Sequence, residues 1–247
     1  MALDDVLAPS DLVPTRLRDA VLQKLTEAII DGRLEPGDAL PPESSLATSF
    51  GVSKQVAREA VHQLAAMGVV HIQQGKATRV RLLDAEPLGR FFRFAVRGSR
   101  QGMAEAVEMR RVLEPAIAAL AAQRRSEADV ARLRTILQRL AQAMTNIPAW
   151  IEADLDFHES ITAMAGNRLL QLQMRGLRPV IREIMESFTA GGARSHEGWK
   201  QTLHRHERIL DGVVSGDPAK ARAAMELHFE AADQAISNLF APQAPAA

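Results

Sequence analysis

From Gly102 to Phe240 the sequence never leaves the period of an amphipathic helix, and this constrains the fold more than any other feature. Apolar residues recur every three or four positions. The runs break only at Gly, Pro, Asn or Ser, which places helices at Met103–Arg124, Glu127–Met144, Ala149–Ala165, Arg168–Thr189, Glu197–Val214 and Pro218–Leu239. Ser126, Asn167 and Asp217 stand where a side-chain oxygen caps the following helix, and Pro218 occupies the favoured first helical position. Short connections make consecutive helices antiparallel neighbours, so residues 102–240 are expected to form an all-α antiparallel bundle.

Residues 14–82 read differently. Thr15 to Ile30 carries Leu17, Val21, Leu25 and Ile29 on one stripe, and Gly32 with Pro36-Gly37 ends it. A short helix opens at Pro42 and runs to Phe50. Gly51 breaks it, and Ser53 caps a third helix from Lys54 to Met67. Gly68 stops that helix, and 69–72 and 78–81 follow as a hairpin turning around Gln74-Gly75-Lys76. The chain is thus mainly α, with an N-terminal winged helix-turn-helix and a helical C-terminal domain. Between them, residues 83–101, with Pro87, Gly89, Gly98 and the aromatic-basic run RFFRF (90–94), read as a linker carrying a docking segment.

A helix fits the major groove of DNA and a hairpin tip reaches the neighbouring minor groove. Ser53, Lys54, Gln55 and Arg58 lie at the N-terminal end of the third helix, where Lys and Arg approach guanine or phosphate and Gln bonds adenine. Gly75, Lys76, Arg79 and Arg81 lie on the wing. Charge supports this weakly: 14–82 holds nine basic against seven acidic residues, and the whole chain balances 30 against 30. A helical domain with solvated charges that binds another protein is the bland alternative.

In the second domain the informative residues are polar ones on apolar stripes. Asp154 and His158 share a face flanked by Trp150, Ile151, Phe157 and Ile161; His206 lies between Leu203 and Ile209; His228 lies among Ala224, Met225 and Ala231. Each alone reads as a hydrogen-bonded core residue, and an i,i+4 Asp–His bond would satisfy the first pair. Together, one buried carboxylate and three imidazoles are expensive to desolvate, and a divalent metal (zinc first, then nickel or manganese) would satisfy them. His62, His71, His196 and His204 fit no such stripe and read as surface or structural. Arg110 sits on the apolar stripe of Val107, Leu113 and Ile117, either paired with Glu114 at i+4 or clamping a carboxylate ligand. Asn167 is either a helix cap or a ligand contact, and Arg178 is a further candidate for the pocket.

The run DGRLEPGDALPPE (31–43), Leu46-Ala47, GVSKQVAREAV (51–61), Leu64, Gly68 and QGK (74–76) resembles the N-terminal winged helix of GntR-type bacterial transcription regulators. The resemblance implies that Arg58 contacts DNA. At two positions the sequence departs from the family pattern: Ser44 and Lys54 stand where arginines are usual, and Lys is a point donor rather than a rigid fork. Glu108-Met-Arg110 with Glu114, Asp154 with Phe157-His158, Gly166-Asn167, His206 with Ile209, and Gly216-Asp217 with Ala221, Met225 and His228 resemble the FCD effector domain of the FadR branch. That likeness implies a metal held by Asp154, His158, His206 and His228, and a small organic acid contacting Arg110. The stretch VLEPAIA (112–118) is similar to regulators of sugar-acid catabolism.

The expectation is a homodimeric repressor on a pseudo-palindromic DNA operator, its binding controlled by a small carboxylate at a divalent metal, with a metal-responsive regulator or a metal-dependent hydrolase as rivals. No residue stands beside the metal set as an obvious general base, and an enzyme would leave the winged helix unexplained. The chain has no cysteine, no long uncharged apolar stretch, and an acidic opening unlike a signal peptide, from which a cytoplasmic protein without membrane segments is expected.

Overall fold

A computed structural model of the chain describes residues 12–96, 99–190 and 196–240. It divides into two compact units, Met1–Pro87 and Leu88–Ala247.

The first unit contains α1 (Leu12–Ile30), α2 (Glu43–Phe50), α3 (Lys54–Ala66), β1 (Val70–His71) and β2 (Arg79–Val80). Gly51, at φ +64°, ends α2, and its N–H reaches the carbonyls of Ala47 and Thr48. Two residues later the Ser53 hydroxyl accepts from the Val56 N–H at 3.2 Å and starts α3. The turn is therefore set by one residue that tolerates the left-handed region and one that caps. On α3, Val56, Ala57, Ala60, Val61 and Leu64 are buried. They share a core with Val21 and Leu25 of α1, Leu46 of α2, and Val70 and Val80 of the hairpin. Burying a residue such as Leu64 contributes about 1.5–3 kcal/mol. The strands pair antiparallel with Val70 opposite Val80, and a bridge from Ala39 to Arg79 adds a third segment. The paired part of the hairpin is shorter than the sequence alternation indicates.

The second unit is helical among the described residues: α4 (Glu86–Val96, whose first two residues fall in the first unit), α5 (Arg100–Arg124), α6 (Glu127–Gln142), α7 (Ile147–Met164), α8 (Arg168–Ala190), α9 (His196–Ser215) and α10 (Pro218–Phe240). Ser126 and Asp129 form a reciprocal capping box on α6, and the Asp217 carboxylate accepts from the Ala219 and Lys220 N–H groups at 2.9 and 3.2 Å. The packing is not simply sequential. α5 lies centrally against α7, α8, α9 and α10. At its end Arg124 donates to the Ala165 carbonyl, and Arg125 donates to the Val214 carbonyl. These bonds tie α5 to the C-terminal ends of α7 and α9, the helices that carry three of the candidate ligands.

The stretch 83–101, expected as a linker carrying a docking segment, contains a regular helix, α4, which packs on α8. Gly89 is buried, and a Cβ there would lie 3.5 Å from the Gly176 carbonyl; a Cβ on Gly176 would come within 2.8 Å of Leu88. Gly176 thus lets the helices approach closely, while a Cβ on Gly89 would make only an ordinary contact, and Phe92 and Val96 join the core. Gly98 of that stretch lies outside the described residues, as do the chain ends. No helix among the described residues is long and apolar enough to cross a membrane.

Candidate metal centre and nucleic-acid interface

Asp154 and His158, one turn apart on α7, meet His206 of α9 and His228 of α10 in the interior of the second unit. They are 5, 4, 0 and 8% exposed. One ring nitrogen from each histidine lies within 4.8 Å of the other two. The i,i+4 Asp–His bond that would have satisfied the first pair is not formed, since Asp154 Oδ2 is 3.9 Å from His158 Nε2. Asp154 Oδ1 instead approaches His206 Nε2 at 3.0 Å without the alignment of a hydrogen bond.

The second nitrogens decide the tautomers. His206 Nδ1 is 2.8 Å from the Thr202 carbonyl, which can only accept, so Nδ1 carries the hydrogen and Nε2 presents a bare lone pair. His158 Nδ1 meets the carboxylate of Glu114, which leaves its Nε2 in the same condition. His158 Nε2, His206 Nε2 and His228 Nδ1 are buried without a partner. Three partnerless ring nitrogens, two of them fixed as acceptors, lie beside a carboxylate and are enclosed by Phe157 and Phe229. A divalent cation with bonds of about 2.1 Å reaches such a set after small side-chain movements. The residues present therefore fit a metal.

Burial alone would push the Asp154 carboxyl up, and it is positive charge at His206, His158 and His228 that draws it well below the usual carboxylate range. Glu114 is likewise held low, because Arg110 and His158 outweigh its burial. Burial, together with His206 and His158, holds His228 well below the ordinary 6.5. An unfolded chain would take up that proton near 6.5 while folded His228 resists it, so the contribution to stability is full above 6.5 and lost as pH falls below it. The metal-free protein should lose stability from about pH 7 to 5, by up to about 1.4 kcal/mol per pH unit for each proton taken up. Thermal melts across that range measure it, and a flat profile would contradict the burial of neutral His228.

A small cavity of about 10 Å³ adjoins the cluster, lined by Arg110, His158, Glu159, Leu177, Arg178 and Ile181 among others. Arg110 donates from Nε to Glu114 at 2.5 Å and places its guanidinium 5.4 Å from the Phe229 ring. The pairing of Arg110 with Glu114 is thus formed, and the same side chain lines the cavity. Arg178 also lines the cavity, with its guanidinium held by Glu159, Glu152 and Asp156 at 2.8–2.9 Å. Asn167 is exposed, and its side chain accepts from the Leu169 and Leu170 N–H groups as the α8 cap, away from the cavity. Glu114 as the partner of His158 was invisible in the sequence, where only its i,i+4 spacing to Arg110 stood out. His62, His71 and His204 are exposed, and the side chain of His196 lies outside the described residues.

In the first unit, Lys54, Gln55 and Arg58 are exposed on α3 opposite its buried face. Lys54 is the first residue of α3, so its charge adds to the positive end of the helix dipole. Gln55 donates to Glu59 at 2.8 Å. Gly75, at φ +73°, forms the wing turn, where Lys76 is exposed. Arg79 is held by the Gly37 carbonyl at 2.7 Å, and Arg81 by Asp84. An open groove of about 550 Å³ is lined by Ser44, Lys54, Ile72 and Lys76, which brings the α3 N-terminus and the wing to one concave face.

Residues 17–80 match the family described as bacterial regulatory proteins, gntR family, and residues 105–231 match the FCD domain. The transcriptional regulator LutR of Bacillus subtilis is 31% identical over 213 residues, covering 86% of this chain and 97% of LutR. The galactonate operon transcriptional repressor of Escherichia coli is 25% identical over 215 residues, covering 83% of this chain and 91% of the repressor. Among solved structures, Streptococcus agalactiae GntR superposes with a TM-score of 0.67 at 23% identity, over 88% of this chain and 99% of that one.

Proposed function

The chain belongs to the gntR family of bacterial regulatory proteins, carries an FCD domain and is a transcription regulator rather than an enzyme, and we propose that a small hydroxycarboxylate bound at a divalent metal controls its hold on DNA. The observation that carries this reading is the convergence of three partnerless buried imidazole nitrogens, two of them facing Asp154, with Arg110 beside them. Asp154, His158, His206 and His228 would hold the cation, zinc first by ligand type, with nickel or manganese also compatible. Bound there, it would offer an open position to a carboxylate oxygen. Arg110, at the cavity wall, would donate to the same ligand's other oxygens.

A sugar acid is favoured because a relative is named as the repressor of a galactonate operon. To admit one, Met174, Leu177 and Ile181 must swing outward, a movement that the unbranched Met174 makes easily. The DNA end of the mechanism is a homodimer placing two copies of α3 in successive major grooves of a pseudo-palindromic operator, where Lys54, Gln55, Arg58 and Lys76 would read bases and grip phosphates. Ligand that prefers one dimer geometry would then shift the spacing of those helices. Repression from the cytoplasm is the mode expected.

Gel-shift titration tests this. Zinc-loaded protein on its own promoter DNA should be released by an aldonic or short 2-hydroxy acid from a panel including D-galactonate and L-lactate. If no acid in the panel alters the shift, carboxylate control is wrong. The near-closed cavity favours a second reading, in which the cation itself is the signal. In that case chelation alone would switch DNA binding with no acid present.

A further inference from the structure

Glu114 of α5 is 2% exposed and divides its two oxygens between two helices. Oε1 receives Nε of Arg110 at 2.5 Å, and Oε2 meets Nδ1 of His158, 44 residues away on α7. Neutralising Arg110 needs only one of those oxygens. The other fixes which nitrogen of His158 carries the hydrogen and which way the ring faces. We propose that Glu114 is a positioning residue for the metal centre: it locks His158 with Nε2 toward the cation, while Arg110 locks Glu114. The inference rests on the metal reading above.

The chemistry is that of an acceptor behind a ligating imidazole. An ionised carboxylate accepts from Nδ1–H, pins the tautomer and makes the opposite nitrogen a better donor to a cation. For His206 the backbone carbonyl of Thr202 does the same work, and no substitution can remove it. For His158 the task falls to a side chain whose other oxygen is already committed to the cavity arginine. Glu114 therefore bonds both a candidate ligand and the candidate carboxylate clamp.

The test is zinc affinity by chelator competition, on the full-length protein, for wild type, Glu114→Gln, His158→Ala and the double variant. Melting of each metal-free form is followed in parallel. Glu114→Gln keeps the shape of the side chain and should weaken zinc roughly 10- to 100-fold. In the His158→Ala background it should cost nothing further, because the ring through which it acts is gone. An equal loss in both backgrounds would show a distant charge effect and overturn the proposal. Lower melting of the metal-free form with unchanged zinc affinity would overturn it too, as a merely structural role. Should Glu114→Gln fail to fold, Glu114→Asp, which retains the charge but falls one methylene short of His158, takes its place in the same comparison. Wild type that binds no zinc would sink the metal reading and this inference together, whereas unaltered affinity in the variants sinks this inference alone.

Discussion

Zinc added to the wild-type protein should raise its melting temperature, and His206→Ala should abolish that rise. His206 is fully buried, with Nδ1 occupied by the Thr202 carbonyl and Nε2 beside Asp154, so no neighbouring group can take its place as a donor. A ligand present at 1,000 times its dissociation constant stabilises the folded state by about 4 kcal/mol, which for a chain of this size is roughly 10 °C. Removing one of four donors weakens the cation by orders of magnitude and takes that increment with it. The substitution also costs packing, because the His206 ring lies 4.9 Å from Phe157 in an edge-to-face contact. The variant therefore melts lower even without metal, and the decisive quantity is the difference between melts with and without zinc. A variant that keeps the full zinc-dependent rise would place the cation elsewhere.

The parts legible in the sequence are those governed by local rules. Gly51 and Ser53 define the turn between α2 and α3 through backbone conformation and a single cap, both properties of one residue. Ser126 and Asp217 likewise set the starts of α6 and α10. The four polar residues of the candidate metal centre stood out because each interrupts an apolar stripe at helical spacing. What escaped depends on partners far along the chain. α4 carries Pro87 and Gly89 and an aromatic-basic face, all signals of a linker, yet Gly89 is where the helix meets Gly176 of α8. The link between Glu114 and His158 joins helices that no local pattern connects. Asn167 shows the converse: its capping oxygen is a sufficient local explanation, and the structure adds nothing to it.

Arg110→Met should be the costliest change in the effector half, and Arg110→Lys the most informative. Arg110 and Glu114 are 8% and 2% exposed, so removing the guanidinium strands a carboxylate in the interior. Breaking a buried pair from one side costs about 3–5 kcal/mol, a large share of a domain's stability. Lysine restores the charge opposite Glu114 but not the planar fork, and so should recover most of that loss. A fork is needed to hold Glu114 with Nε and still present its outer nitrogens to a second carboxylate; a compact ammonium cannot serve both at once. The Lys variant should accordingly stay folded and bind operator DNA, yet fail to release it with the acid that releases wild type. Melting curves and gel shifts on the same preparations separate the two roles. If Arg110→Lys keeps the full response to acid, Arg110 is only the counter-ion of Glu114, and the carboxylate must be held by other cavity groups.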